Sequence, residues 1–128
     1  MPPFRRLARP ARAVGAIPAL ALAGLTAATP AAAADVTLSL DAPAERSSVA
    51  YQCRGASAMT VEYVNAGDNS LALVPVDGRT LVFVATLAAS GVRYASGPYI
   101  WWTKGDEASL ADLRNGEDAD PIASCEGG

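Results

Sequence analysis

Ser90 and Lys104 are the residues of this 128-residue chain whose types and setting suggest chemistry. The serine stands in Ser90-Gly91-Val92-Arg93-Tyr94 and the lysine in Trp101-Trp102-Thr103-Lys104-Gly105, on either side of a short turn. A hydroxyl beside an ammonium can serve as a nucleophile with its base, provided that the lysine is buried and oxyanion donors are at hand. Here Lys104 lies in a turn beside Asp106 and Glu107, which is a setting for a charge rather than for a base. The sequence contains no histidine, so most other acid–base and nucleophilic constellations are closed to it. The pair therefore reads as a binding feature that enters another protein's site. An enzyme is not expected.

A β-hairpin is the element that brings the two motifs together. With Gly97-Pro98 at the centre of its turn, opposed residues carry numbers that sum to about 195. Gly91 then faces Lys104 and Ser90 faces Gly105, so both motifs project from the end of the hairpin away from its turn. Trp101 and Trp102 are adjacent and must point to opposite faces of their strand, one into a core and the other outward.

The rest of the chain reads as short strands, with β-branched or alternating runs recurring about every 8–12 residues between turn residues. Val49 to Cys53 is a strand, and Met59 to Val64 alternates with Met59, Val61 and Tyr63 on one face. Leu71 to Val76 and Thr80 to Leu87 flank Asp77-Gly78, a strong hairpin signal, and Pro75 marks an edge or a bulge. Val92 to Ala95 and Tyr99 to Thr103 follow. Asp106 to Leu113 fits a short helix or a strand, and Asn115 to Pro121 is a polar loop leading to Cys125. The acidic run Glu117-Asp118-Ala119-Asp120 lacks the glycine and spacing of a calcium loop, so a solvated loop is expected. This spacing predicts an all-β sandwich or barrel, and in so small a chain closure also removes exposed edges.

Residues 1–34 are expected to be a cleaved export signal and not part of the fold. Arg5, Arg6, Arg9 and Arg12 form a basic head, Ala13 to Ala28 an apolar stretch, and Ala31 to Ala34 a small-residue cleavage site before Asp35. The apolar stretch falls short of the roughly 20 residues of a membrane span and is interrupted by Pro18. No cysteine lies near the cleavage site, so no lipid anchor is expected. Residues 35–47 are expected to form an arm containing a short strand over Val36 to Leu40, and 48–128 the folded domain.

Without the signal, six basic residues face thirteen acidic ones and the net charge is −7. Such a surface repels nucleic acid and anionic membrane, and it favours a basic protein partner. Cys53 and Cys125 are the only cysteines, and in an exported chain they are expected to form a disulfide tying the first strand to the C-terminus. No metal or cofactor is expected.

Taken in order, Tyr51-Gln52-Cys53, Val61 to Asn65, Leu71 to Gly78, Ser90 to Tyr94, Trp101 to Leu110 and the late Cys125 resemble the membrane-bound or periplasmic inhibitors of c-type lysozyme, the MliC/PliC group. The resemblance implies an eight-stranded antiparallel β-barrel with one disulfide and competitive inhibition of a c-type lysozyme from the periplasm. By motif position, Ser90 and Lys104 would bind the catalytic carboxyl groups, with Gly91, Arg93, Tyr94 and Thr103 as supporting contacts. Val92-Arg93 departs from the family's usual alanine and lysine. The alternative class is a small periplasmic barrel that binds a glycan or another protein.

Overall fold

A computed structural model describes residues 11–17 and 30–128. Among the described residues, the regular structure lies in the compact unit Thr37–Gly128. The strands are β1 (Glu45–Arg54), β2 (Met59–Ala66), β3 (Asn69–Val76), β4 (Arg79–Thr86), β5 (Val92–Ser96), β6 (Tyr99–Lys104), β7 (Glu107–Asp112) and β8 (Ala123–Gly127). They form a closed antiparallel barrel in sequence order, sealed where β8 pairs with β1. Most of the expected export signal lies outside the described residues.

The hairpins follow from turn chemistry. Asp77 and Gly78 have φ of 49° and 73°, so both central residues are left-handed, as a two-residue I′ turn requires. Val76 pairs with Arg79 across it, and Pro75 with Thr80. Alternation of the ladder then turns the Pro75 nitrogen away from β4, towards β2. The β2–β3 ladder has already ended at Glu62–Leu73, so the missing donor costs no bond. Pro75 thus lies not on an edge strand, which a closed barrel lacks, but where β3 runs past the end of its β2 ladder.

The barrel interior is filled by alternate residues of each strand. Trp101, Phe83, Val61 and Val74 are the largest side chains buried completely. Truncating a buried tryptophan to alanine typically costs about 3–5 kcal/mol, so Trp101 is a principal anchor of the core. Its indole also needs a partner. The Trp101 Nε1 donates to the Tyr63 hydroxyl over 2.9 Å, and the Tyr63 and Tyr51 hydroxyls are hydrogen-bonded at 2.8 Å. The Tyr51 ring meets Trp101 edge-on at 5.3 Å between centroids.

Burial, followed by the hydrogen bond shared with Tyr51, pushes the Tyr63 hydroxyl far above the ordinary tyrosine range, and burial also raises Tyr94. A raised folded-state pKa contributes stability that is complete below the unfolded value, about 10, and is lost as pH rises above it. Denaturant unfolding measured from about pH 8 to 11 is therefore expected to show stability falling once pH passes about 10. A flat profile would remove the buried tyrosines from the stability balance.

Three sequence expectations are corrected. Val36 to Leu40 is not a strand, because the closed barrel leaves no free edge to pair with it. β1 begins at Glu45, inside the segment expected to be an arm, because β2 runs to Ala66 and Glu45 pairs with Asn65. Glu45 to Ser48 are exposed, so they lack the alternation that marks a strand, and an Arg46–Glu62 ion pair spans the ladder there. Leu87 leaves β4 and is 97 % exposed in the following loop. Asp106 to Leu113, open between helix and strand, resolves as β7, with Ala108 and Leu110 inward. A 3-10 turn, Leu113–Asn115, follows it, and Arg114 grips both carboxylate oxygens of Asp112 while its guanidinium lies 5.4 Å over the Tyr99 ring.

Cys53 and Cys125 form the expected disulfide, and they are direct cross-strand partners on the β1–β8 seam.

Candidate functional site

The register of β5 and β6 decides where the two motifs meet. Val92 pairs with Thr103, Tyr94 with Trp101 and Ser96 with Tyr99, the register expected from the turn. One further step along the same ladder sets Gly91 against Lys104. At this end of the barrel stand the loop 87–91, the Gly105-Asp106 turn and the Gly67-Asp68 turn. The Asp77-Gly78 and Gly97-Pro98 turns and the segment 113–122 lie at the opposite end.

The loop carrying Ser90 is pinned from two sides. The Trp102 indole, outward on β6, donates its Nε1–H to the Ser90 carbonyl over 3.0 Å. Gly91 lies tight against the same strand with φ of +66°; a Cβ there would sit 2.3 Å from the Thr103 carbonyl oxygen and 3.1 Å from the Trp102 ring. Only glycine fits that approach and that backbone. At the loop's base, Arg93 donates to the Thr86 hydroxyl over 2.9 Å, and that hydroxyl donates to the Arg93 carbonyl over 3.1 Å.

On the other side, the Gly127 N–H donates to the Asp106 carbonyl over 2.7 Å, so β8 steadies the turn beyond Lys104. Lys104 faces Glu107 across the β6–β7 ladder, and Glu107 faces Glu126 across β7–β8. The salt bridges among the described residues are Arg46–Glu62 and Arg114–Asp112, and neither engages Lys104. Ser90 and Lys104 are both exposed. General-base work by a lysine needs a buried, apolar setting, and an exposed strand end does not provide one.

The candidate residues therefore sort into three places. Ser90, Gly91, Thr103 and Lys104 share one projecting end. Arg93 is on the outer wall just beneath it. Tyr94 is inside the barrel, 6 % exposed with its ring 5.8 Å from that of Tyr63, so it supports the end from within. Trp102 is the residue that reading by motif passed over as a site component. Adjacency to Trp101 required one of the two rings to be outward; the structure makes that ring Trp102, and its bond to Ser90 makes it the loop's clamp. The acidic run 117–120 lies exposed between the 3-10 turn and β8.

A small antiparallel barrel presenting a serine and a lysine from one end defines the class, a compact β-domain with two braced loops at one end. The family described as membrane-bound lysozyme-inhibitor of c-type lysozyme, MliC, matches residues 51–119, and this chain belongs to it. It is a family of inhibitors, not of enzymes. The membrane-bound lysozyme inhibitor of C-type lysozyme of Pseudomonas aeruginosa is 53 % identical over 85 residues, 65 % of this chain and 67 % of the relative. The protein of the same description from Cupriavidus necator is 47 % identical over 79 residues, 61 % of this chain and 63 % of the relative. The crystal structure of Pseudomonas aeruginosa MliC in complex with hen egg white lysozyme is similar with a TM-score of 0.63 and 42 % identity, covering 78 % of this chain and all of that one.

Proposed function

We propose that this chain is a competitive inhibitor of c-type lysozyme that inserts Ser90 and Lys104 into the enzyme's cleft. The convergence of these two exposed side chains on one braced end of the barrel carries the reading. A relative of the same family has been crystallised with hen egg white lysozyme, which makes that enzyme the natural probe.

The chemistry suits the residues. A glycosidase of this kind works with two carboxyl groups, one protonated and one ionised. An ammonium placed between them attracts the ionised group and draws the proton from the acid, while a hydroxyl can hydrogen-bond to either. The lysine pays a desolvation penalty on entry, so the pairing serves specificity and blockade as much as affinity. The net charge of −7 over residues 35–128 steers the barrel towards a basic enzyme.

The reading includes export by residues 1–34 and action in the periplasm, where peptidoglycan is exposed to the enzyme. The two relatives are named as membrane-bound. In this sequence both cysteines are joined in the disulfide, which supports a soluble form.

A turbidity assay of hen egg white lysozyme on cell walls tests the function directly. Inhibition at roughly stoichiometric ratio is expected. Full lytic activity in the presence of a large excess of the barrel would overturn the proposal.

A further inference from the structure

An open groove of about 670 Å³ runs down the outer wall from the Lys104 end, across β6, β7, β8 and β1. Two rows of outward side chains build it. One row begins at Trp102 on β6 and ends at Arg54 on β1. The other runs Lys104, Glu107, Glu126 and Gln52, each directly opposite the next.

Glu107 opposite Glu126 is an arrangement that a sheet disfavours, since like charges directly across a ladder repel. Neither carboxylate takes part in a salt bridge among the described residues. The groove thus offers two adjacent anionic groups beside a half-buried indole. A guanidinium matches that set, because its planar fork can serve two carboxylates and its face can stack on tryptophan. A bare ammonium would make poorer use of the ring and of the paired acceptors.

We propose that this groove seats an arginine side chain of the basic protein that engages Ser90 and Lys104. The inference rests on the proposed inhibitor function. Two features argue for that occupant rather than a separate ligand. The groove begins at Glu107, directly opposite Lys104 on the ladder, so a protein docked on that end extends over it. With Glu107 and Glu126 against Arg54 at its β1 edge, the groove is net negative, as the whole domain is, and so complements a basic surface. Once Lys104 commits to the partner's carboxyl groups, Glu107 and Glu126 are left to a cation from the other side of the interface.

The test is the kinetics of binding to hen egg white lysozyme for the wild type, for Glu107→Gln/Glu126→Gln, and for Asp77→Asn/Asp118→Asn. The last makes the same change in net charge at the far end of the barrel. The groove variant is expected to dissociate about tenfold faster, the range for losing a charge contact at an interface. The far-end variant is expected to change association alone, through steering. Removing the repulsion should leave the groove variant's thermal midpoint no lower than wild type. Wild-type dissociation of the groove variant would overturn the proposal while leaving the inhibitor function intact. Binding of a chitin oligosaccharide to the free wild type that disappears in the groove variant would also overturn it, by assigning the groove to sugar. Failure of the wild type to bind lysozyme would remove the function and the groove together.

Discussion

Lys104→Ala is expected to weaken inhibition of hen egg white lysozyme by about 2–5 kcal/mol, the range for truncating one partner of a buried charge pair at an interface. That is about 30-fold to several thousandfold in the inhibition constant. The loss should fall mainly on dissociation, because the ammonium makes its contacts only after docking. The variant separates recognition from stability cleanly. Lys104 is exposed, ends its strand and takes part in no salt bridge among the described residues, so the barrel has little to lose with it. Its unfolding midpoint is expected to match wild type. Much of the lost affinity will reflect the enzyme carboxylate left buried without its partner, rather than the net worth of the pair. An unchanged inhibition constant would take Lys104 out of the mechanism. It would also shift attention to the groove, whose glutamates would then have to carry recognition.

The placement of that lysine was legible before any coordinates, and the reason is geometric. A two-residue turn fixes the register of everything beyond it, so Gly97-Pro98 alone determined that Val92 meets Thr103. Asp77-Gly78 did the same for β3 and β4. What escaped pattern reading lies where alternation fails. Glu45 to Ser48 are exposed along their length at the barrel's rim, and they resemble a loop until β2 is seen to need a partner. β8 is short and ends in glycine, with only Ala123 and Cys125 inward. Val36 to Leu40 has the composition of a strand but no edge to join. For the site, motif position brought Ser90 and Lys104 together but could not order their surroundings by depth. Arg93 and Tyr94 are adjacent, so only one of them could face outward, and the core claimed the tyrosine. Trp102's bond to a backbone carbonyl leaves no trace in residue types, since any outward indole would read the same. Nor does the juxtaposition of Glu107 and Glu126, which are 19 positions apart and meet only because β8 seals the barrel.

Replacing both cysteines, Cys53→Ser/Cys125→Ser, is expected to cost about 4 kcal/mol of folding stability, the chain-entropy estimate for a loop of this length. The bridge spans 72 positions, from the first strand to the last, so it restrains almost the whole unfolded domain. Small domains have total stabilities towards the lower end of about 5–15 kcal/mol, and a loss of that size takes most of the margin. A large drop in the denaturant midpoint is therefore expected, and an unchanged midpoint would mean that the β1–β8 ladder closes the barrel unaided. The double variant is preferable to a single one, which would leave a reactive thiol to form dimers. The effect should also reach the recognition end. β8 is the strand that the disulfide fastens, and the same strand pairs with Glu107 and donates its Gly127 N–H to the Asp106 carbonyl. A frayed seam would loosen the turn beside Lys104 before the rest of the barrel unfolds. Under conditions where the double variant is still folded, its inhibition of lysozyme is accordingly expected to be weaker than wild type. Undiminished inhibition there would show that the β5–β6 hairpin, clamped by Trp102, orders the two loops without help from the seam.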